Sequence, residues 1–138
     1  MAIFPGSEGA RVLFQSGLLG LQGLPVSPPD VMRFLQNPDS YVVMGYDGGV
    51  PLGYVVCCKR IMEDQVPELF ILQVVGDGGA LWVNEGWRDL HTFATKLGCT
   101  QVGTMLPYDD APTLMRRFGF TPRGVYAICP IKGEGQAN

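Results

Sequence analysis

Hydrophobic and polar positions change their spacing several times along the chain, and each change predicts an element. Residues 41–46 are apolar and β-branched and predict a strand. Asp47-Gly48-Gly49 predicts a hairpin turn, because glycine supplies positive φ without steric cost. Residues 52–59 then predict the return strand, and residues 68–75 a third strand dense enough in large apolar residues to be buried on both faces. Beyond Gly76-Asp77-Gly78-Gly79-Ala80 the period lengthens. Val83, Trp87, Leu90, Ala94 and Leu97 fall on one helical stripe, widened by Phe93, and Gly98 predicts its C-terminal stop. Residues 101–106 predict a fourth strand. Asp109 or Asp110 then caps a short helix with Pro112 in its first turn, and residues 125–131 close the chain as a strand.

Ahead of the first strand, Ser27-Pro28-Pro29-Asp30 predicts a helix start, with Ser27 or Asp30 as cap. The helix carries Val31, Phe34 and Leu35 and stops before Pro38. In residues 1–27, Gly17, Gly20 and Gly23 interrupt a leucine-rich run whose spacing fits neither helix nor strand. Two readings stay open there: an irregular segment packed by its leucines, and a docking arm for a partner. The expected organisation is an irregular arm over 1–27, a domain over 28–131 and a polar tail over 132–138. A meander followed by a β-α-β step predicts a mixed α/β (α+β) sheet with helices on its faces.

Composition narrows the function classes. With 138 residues and 46% hydrophobic content, the chain is long enough for one domain with a real core. Net charge is −3, and the ten basic residues are scattered apart from Lys59-Arg60 and Arg116-Arg117, so no basic face for nucleic acid is expected. Cys57, Cys58, Cys99 and Cys129 form no Cys-x-x-Cys, and His91 is the one histidine, so no metal site is expected. The cysteines are read as small core residues of a reduced, intracellular protein. No apolar run reaches membrane-spanning length, and no basic stretch at the start suggests a secretory signal.

Residues 108–120 read Y-D-D-A-P-T-L-M-R-R-F-G-F. This resembles the last helix of the GNAT N-acetyltransferase superfamily, N-x-x-A-x-x-L-Y-x-x-x-G-F. Ala111, Leu114, Gly119 and Phe120 fall on pattern positions; Tyr108 replaces the Asn and Met115 the Tyr. Pro51-Leu52-Gly53-Tyr54 resembles the family's hairpin, and the resemblance extends over residues 41–131. It implies a GNAT-like fold with a central mixed β-sheet flanked by helices. It also implies acetyl-CoA as a possible cofactor, its pyrophosphate held by backbone N–H groups at the start of the long helix. Gln73-Val74-Val75-Gly76-Asp77-Gly78 matches the family's (Arg or Gln)-x-x-Gly-x-(Gly or Ala) loop, with Gly79 and Ala80 following. Alternatively, these glycines serve only a strand-to-helix turn.

Acetyl transfer needs a base for the substrate amine and benefits from an acid for the leaving thiolate. Met115 cannot donate a proton. Glu68 is the candidate base by resemblance, since family members often carry a Glu in that strand; the bland reading is an exposed strand-end carboxylate. Glu63 and Asp64 are read as loop charges, His91 as a boundary residue of the long helix, and Trp87 as core. Trp82 lies off the stripe and, with the 1–27 arm, is a candidate anchor for a protein partner. Arg116 and Arg117 suit the end of the short helix.

Two functions are therefore expected. One is a catalytically degenerate GNAT-fold protein acting as a binding or assembly subunit. It resembles the GNAT-like minor or internal virion proteins of short-tailed bacteriophages, with host cytoplasm or virion as its location. The other is an active acetyl-CoA-dependent N-acetyltransferase of the cytoplasm acting on an amine.

Overall fold

A computed structural model describes residues 2–20, 26–76, 79–105, 121–123 and 126–131. The elements are β1 (Ala2–Pro5), α1 (Gly6–Ser16), a 3-10 turn (Leu18–Gly20), α2 (Pro28–Phe34), β2 (Ser40–Asp47), β3 (Val50–Ile61) and β4 (Pro67–Gly76). After these come α3 (Gly79–Lys96), β5 (Gln101–Met105), β6 (Thr121–Arg123) and β7 (Tyr126–Pro130). Backbone hydrogen bonds join the strands in the order β1-β2-β3-β4-β5-β7-β6. β4 and β5 run parallel, whereas the β1–β2, β2–β3, β5–β7 and β6–β7 pairs are antiparallel, so the sheet is mixed. The short helix expected after residue 109 lies outside the described residues.

The chain forms two compact units. The first comprises Met1–Cys58 and Leu72–Leu90. Its core gathers Leu13, Leu19, Val31, Leu35, Val42, Met44, Tyr54 and Val56. Residues 1–27, expected to be irregular, contain β1 and α1. Their signal escapes a hydrophobic count because α1 buries Gly6, Gly9 and Leu13. Gly6 and Gly9 serve close contact. A Cβ on Gly6 would collide with Ser40 Oγ and the Leu35 carbonyl, and one on Gly9 with the Val42 side chain. α1 can therefore lie close against β2.

The other local signals behave as their chemistry predicts. Ser27 caps α2, its Oγ accepting from Asp30 N–H and donating to Asp30 Oδ2 at 2.8 Å. A cap of this kind contributes about 1 kcal/mol. Asp47 pairs with Val50 across Gly48 and Gly49, whose φ values are 57° and 83°. Two consecutive positive φ angles match the right-handed twist of the flanking strands.

The second unit comprises Lys59–Ile71 and His91–Asn138. β5 pairs with β4 from Glu68↔Gln101 to Ile71↔Thr104 and with β7 on its other side. α3 ends in a Schellman-type closure, with Cys99 N–H donating to the Ala94 carbonyl at 2.9 Å and Gly98 N–H to Thr95 at 3.0 Å. Lys59 Nζ donates to the Leu97 carbonyl at 2.6 Å, placing a cation at the negative end of the helix. All four cysteines are buried.

Candidate functional site

Glu68, the candidate base, is the second residue of β4 and is fully buried (0% exposed) rather than an exposed strand-end carboxylate. Its charge is matched locally. Arg60 Nε of β3 donates to Oε2 at 2.7 Å, and Gln101 Nε2 of β5 donates to Oε1 at 2.7 Å. The Arg60 guanidinium also lies 4.2 Å from the Phe70 ring centroid. One carboxylate thus ties three neighbouring strands, with each oxygen holding a donor. A buried charge persists only with such partners. Nearby, burial pushes the Cys99 thiol up, with Lys59 opposing and Glu68 adding to the rise.

Neither Arg60 nor Gln101 was singled out by the sequence reading. A signal existed in part: Arg60 and Glu68 flank the 62–66 turn between antiparallel strands, where opposite charges meet across the ladder. Gln101 becomes adjacent only through the parallel β4–β5 register, which the sequence does not fix.

Gln73, expected at the pyrophosphate loop, stands inside β4 and is 3% exposed. Its Oε1 accepts from Tyr54 Oη at 2.9 Å. Its Nε2 is buried with no partner among the described residues. Burial pushes the Tyr54 phenol up to about 12, so it remains a protonated donor at neutral pH. Gly76 is the last residue of β4, and Gly79 and Ala80 are the first two of α3. These three therefore sit at one strand-to-helix turn, whereas Gln73 is committed to the core and Glu68 to the other end of β4. Gly78 lies outside the described residues, as does the whole 108–120 motif, including Tyr108, Met115, Arg116 and Arg117. The Trp82 side chain lies outside them too.

A second feature of β4 is not legible in sequence. Among the described residues its register with β5 runs to Ile71↔Thr104, where Thr104 Oγ1 donates to the Ile71 carbonyl at 3.1 Å. β4 continues to Gly76, and Val74 on this stretch is exposed. Residues 72–76 run on from there to the turn that leads into α3.

His91 is half-buried, and burial lowers its pKa below the usual histidine value. Among the described residues no three His, Cys, Asp or Glu side chains gather as a metal site. No helix there is long and apolar enough to cross a membrane. A cavity of about 630 Å³ opens beside the start of α1, lined by Pro5, Ser7, Ala10, Met32, Gln36 and Asn37 among others, and none of its lining residues is charged.

The mixed sheet, its strand order and the β4-to-α3 step define a GNAT fold. Solved structures agree on this. The chain is similar to FeeM, an N-acyl amino acid synthase from uncultured soil microbes, with a TM-score of 0.70 and 13% identity over 94% of each chain. It is also similar to a chain of the NatC complex bound to Gag peptide and CoA, with a TM-score of 0.67 and 13% identity over 95% of this chain and 98% of that one. A third likeness is to the ribosomal-protein-alanine N-acetyltransferase of Brucella melitensis biovar Abortus, with a TM-score of 0.64 and 12% identity over 88% of this chain and 90% of that one. At such identities the likeness shows the fold. No protein-family model and no curated protein matches the chain.

Proposed function

We propose that this chain is a GNAT-fold binding or assembly subunit in which acetyl-transfer chemistry has been lost. The carrying observation is Glu68. A general base needs a free lone pair within reach of the substrate's proton. Glu68 is instead fully buried, with each oxygen already holding a donor at 2.7 Å, one of them a cation, so a substrate amine has no access to it. The departures at Tyr108 and Met115 support the same reading, since neither supplies the family's residue. Its most specific form is a minor structural or internal protein of a short-tailed phage virion, supported by chain length and by the kind of residue lost. Contact with a protein partner through residues 1–27 is supported by Phe14, which is 76% exposed on α1, and by exposed Ile3 on β1. Trp82 is the other proposed anchor.

The test is thiol release from acetyl-CoA with a panel of amines and peptides, comparing the protein with Glu68→Gln. The expected result is no Glu68-dependent turnover. Turnover abolished by Glu68→Gln in a variant that stays folded would overturn the reading. Mass spectrometry of purified particles tests the virion setting, and absence of the chain would remove it.

One observation favours the alternative, an acetyl-CoA-dependent N-acetyltransferase. β4 ends at Gly76 and α3 begins at Gly79 and Ala80, where a helix N-terminus offers unpaired N–H groups to a phosphate. NatC and AtaT, similar in fold, were solved with CoA and acetyl-CoA. In that reading the 72–76 stretch supports the cofactor, Gly76, Gly79 and Ala80 cradle its pyrophosphate, and water protonates the thiolate.

A further inference from the structure

The least explained polar group in the described core is the Gln73 amide. It is nearly fully buried, and the side chains around its partner Tyr54 are apolar: Leu13, Val42, Met44 and Val56, with Leu72 and Val75 packed against them. The buried Tyr54 hydroxyl donates to Gln73 Oε1 at 2.9 Å. Nε2 carries two donor hydrogens and has no acceptor among the described residues. Leaving a buried donor unmet costs about 1–3 kcal/mol, so such a group calls for an occupant.

We propose that the Tyr54–Gln73 pair is a built oxygen-binding site, in which Gln73 Nε2 holds one uncharged acceptor oxygen, that of a buried water or of a neutral carbonyl ligand. Chemistry sets the class. A donor-only nitrogen repels a cation. An anion would have to reach a group that is only 3% exposed, at the cost of its desolvation. A neutral oxygen meets neither obstacle. The Tyr54 hydroxyl, by donating to Oε1, polarises the amide and strengthens its N–H donors. Gln73 stands within residues 72–76 of β4, the stretch that leads to Gly76. This role is distinct from contact with a pyrophosphate, which Gln73 in the strand interior does not make.

The test is NMR on the full chain labelled with ¹⁵N at glutamine, with Gln73→Met identifying the Gln73 amide pair by its loss. A high-resolution crystal structure replaces that assignment if the variant does not fold. N-methylacetamide, a small neutral carbonyl, is the probe. Contact between the Gln73 amide protons and a bound water, unmoved by the probe, supports the site with water as occupant. Saturable movement of the pair with loss of the water contact supports a carbonyl occupant. Amide protons with neither water contact nor movement, or an Nε2 bonded to a protein oxygen, would overturn it.

Discussion

Glu68 is the residue on which the functional reading turns, and its environment makes a stability prediction. Glu68→Gln removes the charge facing Arg60 while keeping the shape, and is expected to cost about 1–3 kcal/mol in urea unfolding. The cost stays moderate because the Arg60 side chain is 37% exposed and keeps access to water. Replacing both partners with leucine is expected to cost less than the sum of the single changes, since no charge is left uncompensated. A Glu68→Gln variant as stable as the parent would deny the three-strand tie. His91 makes a pH prediction. Burial lowers its pKa from 6.5, so the unfolded chain takes up the proton first. Its contribution is full above about pH 6.5 and is lost as pH falls below it. Urea midpoints at pH 7.5 and 5.5 should differ less in His91→Gln than in the parent; an identical difference would contradict this.

At the scale of elements, the legible parts are those whose signal is local. The Asp47-Gly48-Gly49 hairpin, the Ser27 cap of α2 and the Gly98 end of α3 each depend on residues within a few positions, and each forms where its chemistry predicts. β6 was not foreseen, being three residues long. α1 was missed because its buried face is built from Gly6, Gly9 and Leu13, so contact with β2 replaces the apolar stripe. Glu68 was placed on the correct strand, but its burial depends on Arg60 and Gln101 brought in by strand pairing. Gln73 satisfied a loop motif by spacing alone, whereas β4 runs through it to Gly76. α1 also yields a sign test. Gly→Ala inside a helix ordinarily stabilises by about 1 kcal/mol. Gly9→Ala should instead destabilise by about 1–3 kcal/mol, because the added methyl meets Val42. A rise in thermal midpoint would show that α1 does not lie that close to β2.

For the whole molecule, fold and function separate. The GNAT architecture is supported by structures such as FeeM and NatC at 13% identity, and a fold hosts many functions. The proposed loss of chemistry rests on a carboxylate that is fully buried and engaged by Arg60 and Gln101, and the family's last-helix motif departs at Tyr108 and Met115. Under that proposal α1, with exposed Phe14, is the face offered to a partner. The fold, under the same proposal, no longer serves acetyl-CoA chemistry. Calorimetry of acetyl-CoA with the purified chain tests it most directly. The prediction is no heat of binding and no thermal shift up to millimolar acetyl-CoA; saturable binding in the micromolar range would contradict it and return the chain to the acetyltransferases.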